Sequence, residues 1–172
     1  MEIIFKQNEI KEVASKILEK FLMHSTPSAL VVALSGDLGA GKTTLTKEMS
    51  KIFEIKEDII SPTFVIMKKY DIHNKNFPWK NLIHIDAYRL EKDHELLRLG
   101  FEELSKDKDN LIIIEWPELV KGCLDSDTFS INLSHIDEET RKIEFCYNTR
   151  RDFLAACRDV PVGKFENLRF SS

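Results

Sequence analysis

An eight-residue glycine-rich segment limits the fold of this chain more than any other feature of its sequence. Residues 36–43 are Gly-Asp-Leu-Gly-Ala-Gly-Lys-Thr, which matches G-x-x-x-x-G-K-[ST] at every fixed position. Glycines allow the backbone to turn so that successive N–H groups close around an anion, and the helix that follows directs its positive end at the same anion. The segment therefore predicts a strand, a phosphate-binding loop and a helix, in that order.

The sequence on both sides of this segment has the patterns that such an arrangement requires. The aliphatic run from Leu30 to Leu34 predicts a strand buried on both faces, as in parallel sheets covered by helices. Helical spacing resumes from Lys42 to about Phe53. An apolar stripe behind Asn8, a candidate N-cap, predicts an earlier helix.

Further strands and a hairpin are predicted downstream. Apolar runs predict strands at residues 63–70, 82–86 and 111–114. A helix weakened by Gly100 is expected between the last two of these strands. Residues 129–136 and 141–148 alternate apolar and polar side chains around a polar turn, which predicts an antiparallel hairpin. Helices between buried strands favour an α/β fold with a largely parallel sheet.

Length and charge limit the number of domains and the class of partner. The chain has 172 residues, which suits one compact domain. No apolar run reaches the roughly 20 residues that span a bilayer, and the N-terminus is too charged for a signal peptide, so we expect a cytoplasmic protein that does not cross a membrane. The net charge of −4 disfavours direct binding to nucleic-acid backbone. Any contact with RNA would therefore be indirect, through a partner.

Within the loop, each residue type has a chemical task. Lys42 would supply positive charge to the β and γ phosphates of a nucleotide, and the Thr43 hydroxyl would ligate Mg²⁺. The neighbouring backbone would contact the phosphates; its residues are Gly39, Ala40, Gly41 and Thr44. The loop sequence thus predicts binding of a nucleoside triphosphate with Mg²⁺, and ATP is the nucleotide that we favour.

Two carboxylates are candidates for the acidic group that P-loop proteins place near the metal and the attacking water. Glu115 ends the aliphatic run, and Asp86 ends a half-polar strand. We favour Glu115 as the Mg²⁺ carboxylate because its strand is the more apolar, and we expect Asp86 to reach the same cleft. His84 shares a strand face with Asp86, so it is a candidate partner of that carboxylate.

The segment Ser61-Pro62-Thr63 follows the predicted loop helix. P-loop proteins often place a mobile segment there, in which a hydroxyl group senses the γ-phosphate and its metal. Thr63 is the candidate for this role. The same three residues are also typical of an ordinary turn.

Four short segments, taken together and in this order, resemble the bacterial TsaE family, also called YjeE. They are residues 36–44, Ser-Pro-Thr-Phe at 61–64, His-Ile-Asp-Ala-Tyr-Arg-Leu at 84–90 and Ile-Glu-Trp-Pro-Glu at 114–118. Members of that family are ATPases required to make threonylcarbamoyladenosine in tRNA. The resemblance implies a three-layer α/β domain over residues 1–149, closed by a C-terminal hairpin. Residues 150–172 match no signature of the family.

The resemblance also implies a set of functional residues and partners. Thr43 and Glu115 would hold Mg²⁺, and Asp86 would be needed for ATP hydrolysis. The implied partners are the TsaD and TsaB proteins, to whose heterodimer the ATPase would bind, with tRNA reached only through that complex.

Three more residues are implied to lie near the nucleotide. Trp116 would lie beside the site, and Glu9 and Arg141 would contact the nucleotide. From the residues alone, Trp116 is also compatible with a core aromatic, and Arg141 with an ordinary solvated side chain.

Two other functions are compatible with the loop motif. A small-molecule kinase would need an acceptor pocket and an arginine-rich lid, but the only adjacent arginines are Arg150 and Arg151, in the unmatched tail. A GTP-dependent switch would need an N-K-x-D sequence, and the Asn-Lys-Asn-Phe of residues 74–77 lacks the aspartate.

Overall fold

A computed structural model of the protein describes residues 2–24, 27–62 and 65–147. Its strands and helices, in chain order, are β1 (Glu2–Lys6), α1 (Ile10–Leu22), β2 (Leu30–Gly36), α2 (Lys42–Ile52), β3 (Met67–Asp71), β4 (Asn81–Asp86), α3 (Asp93–Arg98), α4 (Phe101–Lys106), β5 (Asn110–Glu115), β6 (Phe129–His135) and β7 (Thr140–Tyr147). The predicted tail at residues 150–172 lies outside the described residues.

The seven strands form one sheet in the order β1-β7-β6-β2-β5-β4-β3. The four central strands β6, β2, β5 and β4 are parallel to one another. Antiparallel pairs join β3 to β4, β7 to β6 and β1 to β7. The predicted parallel sheet with a C-terminal hairpin is therefore confirmed. The carboxyl ends of parallel strands meet at one edge of a sheet, where ligands of α/β proteins commonly bind.

Helices cover the sheet on both faces, which confirms the three-layer α/β architecture. α1 and α2 pack on one face, and α1 buries the apolar stripe that its spacing predicts: Val13, Ala14, Ile17, Leu18 and Phe21. α3 and α4 pack on the other face. All six residues of β5 are buried, and its four aliphatic side chains alternate between the two core clusters, one on each face of the sheet. β5 is therefore an interior strand, as its aliphatic run predicts.

The N-terminus differs from the prediction in two ways. Residues 2–6 form an edge strand that no sequence pattern indicated. Asn8 is not the N-cap of the first helix: it lies in a 3-10 turn, and α1 begins at Ile10 after Glu9. The backbone N–H of Lys6 donates to the Glu9 carboxylate over 2.6 Å, so the glutamate closes this turn.

Two further boundaries are corrected by the structure. The helix predicted across Gly100 is two short helices, because Gly100 adopts the left-handed φ of 82° that ends one and starts the next. The strand predicted from residue 63 begins at Met67, since Ile66 has a positive φ of 65° and Val65 lies in a turn.

The polar segment between β3 and β4 contributes to the core, although its sequence gave no reason to assign it a role. Phe77 and Trp79 are buried there, and the Phe53 ring at the end of α2 contacts both. The ring of Phe53 lies 4.9 Å from that of Phe77, edge to face. Among the described residues, no helix combines the length and the apolar character needed to cross a membrane.

Candidate functional site

The loop at residues 36–43 joins β2 to α2 at the carboxyl edge of the sheet. Its first residue, Gly36, has a φ of 134°, and a Cβ there would collide with the carbonyl oxygen of Leu133 on β6. Only glycine fits both the backbone conformation and the contact with the next strand. Gly41 directly precedes α2, so the N–H groups of the first helical turn have no partner within the helix and are available to a ligand at the loop.

Lys42 is a buried cation at the start of α2, with 5% of its surface exposed. Its Nζ donates to the carbonyl oxygens of Gly36, at 2.7 Å, and Asp37, at 3.0 Å. Nζ also lies 3.8 Å from the centroid of the Trp116 ring. Burial lowers the pKa of Lys42, and the negative charge of Glu115 opposes that shift. Two neutral carbonyls and one aromatic face thus hold the ammonium group at the loop.

Thr43 and Glu115 meet across the gap between α2 and the end of β5. The Thr43 Oγ1 lies 2.9 Å from each carboxylate oxygen of Glu115, and the glutamate is 2% exposed. The pairing of β2 with β5 sets Glu115 opposite Leu34, two residues before Gly36. A hydroxyl and a carboxylate are oxygen donors of the kind that Mg²⁺ prefers, so the two residues fit a Mg²⁺ site.

His84 pairs with Glu115, which corrects the expectation that it would pair with Asp86. The imidazole is completely buried, and its Nε2 lies 2.8 Å from Oε1 of Glu115. In the register of the adjacent parallel strands, His84 is opposite Ile113 and Glu115 is opposite Asp86, so the long glutamate side chain meets the imidazole diagonally across the two strands.

Asp86 lies beside Glu115, because the two residues are paired in the register of β4 and β5. It is 3% exposed, and its carboxylate accepts a hydrogen bond from Ser61 Oγ at 2.7 Å and from the backbone N–H of Tyr88 at 3.0 Å. Ser61 belongs to the segment predicted as a sensor, and its neighbour Thr63 lies outside the described residues.

These residues line an open cleft of about 460 Å³ at the loop. The lining includes eight of the predicted site residues: Gly39, Gly41, Lys42, Thr43, Thr44, Asp86, Glu115 and Trp116. Ala40 is buried beneath the loop, where its N–H donates to the carbonyl oxygen of Asp37. The structure therefore brings one cation, two carboxylates and a loop of main-chain amides to a single concave site.

The Trp116 side chain lines the cleft and also packs against the core of the sheet. Its backbone is left-handed, with a φ of 59°, which turns the chain sharply at the end of β5. The ring lies 5.2 Å from that of Tyr88 and carries the Lys42 ammonium on its face. Strained backbone conformations of this kind are found most often at active sites and ligand-binding sites.

Glu9 and Arg141 have partners away from the cleft lining. Glu9 closes the 3-10 turn before α1, as described above. Arg141 is 7% exposed, so it is not an ordinary solvated arginine. Its Nη1 donates to three carbonyl oxygens of the hairpin turn, those of Asp137, Glu138 and Thr140. The nucleotide contacts of Glu9 and Arg141 stay predictions.

Sequence reasoning missed the role of His84 and the position of Tyr88 at the cleft. The signal for His84 was its two-residue spacing from Asp86, which identified the correct face of β4 but not the partner. Tyr88 is 57% exposed and lies two residues after Asp86, the last residue of β4. The available sign was its position two residues after Asp86, where the predicted strand ends at the edge that commonly binds ligands.

Comparison with known proteins identifies the family to which the sequence belongs. A family model described as "Threonylcarbamoyl adenosine biosynthesis protein TsaE" matches residues 5–143. The tRNA threonylcarbamoyladenosine biosynthesis protein TsaE of Rickettsia felis is 38% identical over 150 residues, 84% of each chain. The protein of the same name from Haemophilus influenzae is 34% identical over 134 residues, 78% of this chain and 80% of its own.

The fold is also similar to that of a solved structure. The crystal structure of YdiB from Bacillus subtilis superimposes with a TM-score of 0.64 at 25% sequence identity. The similarity covers 91% of this chain and 92% of the other. The two chains thus share an overall fold over most of their lengths.

Proposed function

The chain belongs to the TsaE family of threonylcarbamoyl adenosine biosynthesis proteins, and on that premise we propose that it hydrolyses ATP to support formation of threonylcarbamoyladenosine in tRNA. One observation carries the proposal: the Lys42 ammonium, the Thr43 hydroxyl and the Glu115 carboxylate line one cleft at the start of α2. Phosphoryl transfer requires such a combination of a cation, a metal-ligating hydroxyl and a carboxylate around the transferred group.

The loop would bind the β and γ phosphates. α2 is 11 residues long, and the N–H groups of its first turn carry the positive end of the helix dipole. An ammonium group has three N–H donors, and the carbonyls of Gly36 and Asp37 occupy two of those of Lys42. The third donates to no described acceptor, and a phosphate oxygen bound beside the Trp116 ring would take it.

Thr43 and Glu115 would hold Mg²⁺. When bound, the ion neutralises developing charge on the β and γ phosphates. The support for this assignment is the position of the two side chains, since the hydroxyl and both carboxylate oxygens already lie within 2.9 Å of one another.

Asp86 would orient the water that attacks the γ-phosphorus. Ser61 Oγ and the Tyr88 N–H both donate to its carboxylate, which holds the group in place as an acceptor. A water molecule needs an acceptor for one of its protons as its oxygen attacks. The attack forms the new P–O bond and breaks the bond to the β–γ bridging oxygen, which leaves with ADP.

The partners that we propose are TsaD and TsaB, with tRNA reached only through their heterodimer. Of the described residues that line the cleft, Lys42 is the only cation. Rapid phosphoryl transfer in related enzymes uses an additional arginine on the transition-state charge. We therefore expect slow hydrolysis by the isolated protein and faster hydrolysis in the complex.

The test is phosphate release from Mg·ATP by the full chain, alone and with purified TsaB–TsaD. We expect ADP and inorganic phosphate as the only products, and a higher rate with the heterodimer. Asp86→Asn serves as the matched control, because it should retain nucleotide binding while losing hydrolysis. A folded protein that takes up no Mg·ATP at equilibrium would falsify the proposal. A phosphorylated acceptor would identify a kinase instead, and preferential binding of GTP would identify a switch.

A further inference from the structure

His84 is a completely buried imidazole that the proposed hydrolysis does not use directly. A buried polar ring loses its contacts with water, and this loss is compensated only by hydrogen bonds. Within the described part of the chain, the ring has one hydrogen bond, which joins Nε2 to Oε1 of Glu115, 2.8 Å away. Nδ1 is also buried and has no hydrogen-bond partner among the described residues. Among the described residues, the Glu115 carboxylate is therefore the one hydrogen-bond partner of the imidazole.

The direction of that hydrogen bond follows from the chemistry of the pair. An ionised carboxylate can only accept, so Nε2 carries the proton and donates it to Oε1. The strand register fixes the approach, because His84 is opposite Ile113, two residues before Glu115 on the adjacent strand. Both side chains therefore emerge on the same face of the sheet, the one that α2 covers.

A donor at this position limits the rotation of the carboxylate. The terminal torsion of a glutamate is broad, so an unsupported carboxylate can present either oxygen or an intermediate orientation. The Thr43 hydroxyl does not distinguish the two oxygens, since it lies 2.9 Å from each. The contact with His84 does distinguish them, because it engages Oε1 alone.

We propose that His84 is a positioning residue for Glu115: it holds Oε1 so that Oε2 and the Thr43 hydroxyl are presented together to Mg²⁺. The proposal rests on the proposed function, in which Glu115 is the carboxylate that binds the metal. Some residues hydrogen-bond to a metal ligand without contacting the metal. Mutation of such residues typically lowers metal affinity or activity by about 10- to 100-fold.

The experiment compares His84→Gln with His84→Leu in the full chain. The glutamine amide can replace the Nε2 donor, whereas leucine fills similar volume without any donor. Ile83→Val is the matched control, since Ile83 lies next to His84 on β4 but faces the other core cluster. The measurement is the affinity for ADP, with Mg²⁺ and with EDTA, so that the readout does not depend on turnover.

We expect His84→Leu to lower the Mg²⁺-dependent gain in ADP affinity about 10-fold, with binding in EDTA unchanged. His84→Gln should restore much of the gain, and Ile83→Val should leave it intact even where it lowers the melting temperature. An unchanged gain in a folded His84→Leu protein overturns the positioning role. Equal losses in the leucine and glutamine variants also overturn it, because the volume of the ring would then be its contribution. A wild-type protein that shows no gain from Mg²⁺ contradicts the proposed metal function, and the positioning role with it.

A second measurement needs no variant. The ¹⁵N chemical shifts of the His84 ring in the wild-type protein report which nitrogen carries the proton. We expect the proton on Nε2; a neutral ring protonated on Nδ1 would have no hydrogen to donate to Glu115 and would refute the proposal.

Discussion

Polar side chains are buried in one part of the sheet and mostly partly exposed in another. In the site half, made of β2, β5 and β4, the carboxyl ends carry Glu115, Asp86 and His84, each no more than 3% exposed. In the hairpin half, made of β6, β7 and β1, polar residues alternate with apolar ones, and most stay partly exposed, as Lys142 and Glu144 do; Arg141 is buried. Burial on both faces makes the first half a place where charges are desolvated and interact strongly.

Because of this difference in burial, polar contacts differ in strength between the two halves. The Lys142–Glu144 ion pair, at 3.0 Å, is partly exposed, and such pairs add little to stability. The His84–Glu115 contact is buried, where a hydrogen bond is stronger and an unpaired group is costly, and the Thr43–Glu115 contact is partly buried beside it. Changes in the site half should therefore alter ligand binding, and changes in the hairpin half, apart from Arg141 with its predicted nucleotide contact, should alter only stability.

The largest effect is expected for Lys42→Ala, which removes the cation of the site half. Hydrolysis should fall about 100-fold or more, the cost of losing one donor to a transition-state charge. The melting temperature should change little, because Lys42 lines the open cleft and water entering there can replace its Nζ at the carbonyls of Gly36 and Asp37. Phosphate release and thermal unfolding provide the two measurements. An unfolded variant would show that this charge supports the fold, and the contrast between the halves would fail.

Glu115→Ala should weaken Mg²⁺-dependent binding more than binding of nucleotide without Mg²⁺. We expect at least about a tenfold loss of Mg²⁺-dependent binding, since one of two side-chain oxygen ligands is removed. Binding of nucleotide in EDTA should be retained because the loop amides and Lys42 remain. Isothermal titration in both conditions tests this, and equal losses in the two would assign Glu115 a structural role.

Gly36→Ala tests the contact that joins the two halves. The new Cβ would collide with the carbonyl oxygen of Leu133 on β6 at an already strained φ, so the variant should lose about 1–3 kcal/mol of unfolding free energy. Denaturant titration measures the loss. Gly100→Ala is the matched control, since it also has a positive φ but would meet only the end of the Glu103 side chain. A loss no greater than that of the control would mean that β6 can move away from β2.

The smallest effect is expected in the turn of the hairpin half. The Thr140 side chain, with the backbone N–H groups of Thr140 and Glu139, lowers the pKa of Asp137. A lowered pKa in the folded state means that this stability is complete above the unfolded value, near pH 4, and is lost as the pH falls through the folded pKa. Asp137→Asn should therefore lower the melting temperature slightly at neutral pH, and the difference should vanish in acid. Unchanged nucleotide binding would support the contrast between the halves; a loss of binding would break it.

Local patterns in the sequence were enough to predict most of the fold. The spacing at residues 10–22 indicated α1, the aliphatic run indicated β5, and the loop motif placed a strand before residue 36 and a helix after it. β1 was missed because five residues with two charged ends show no clear alternation. Phe77 and Trp79 were missed because a polar loop can bury single aromatic residues, and no periodicity records that.

For the candidate site, the sequence supplied the residues but not all of their contacts. Lys42, Thr43, Asp86 and Glu115 followed from the motif and from the ends of predicted strands, and the fold brings them to one cleft. The partner of His84 could not be predicted, because it depends on the register between β4 and β5. The burial of Arg141 could not be predicted either, since it depends on the conformation of the hairpin turn.

The sequence alone determined most of the strands and helices and where an anion-binding loop lies, because hydrophobic period and glycine placement act over a few neighbouring residues. Tertiary structure alone decided that β1 pairs with β7, that His84 donates to Glu115 and that Trp116 covers Lys42. These contacts join residues far apart in the chain, and their geometry is set by the order and register of the strands.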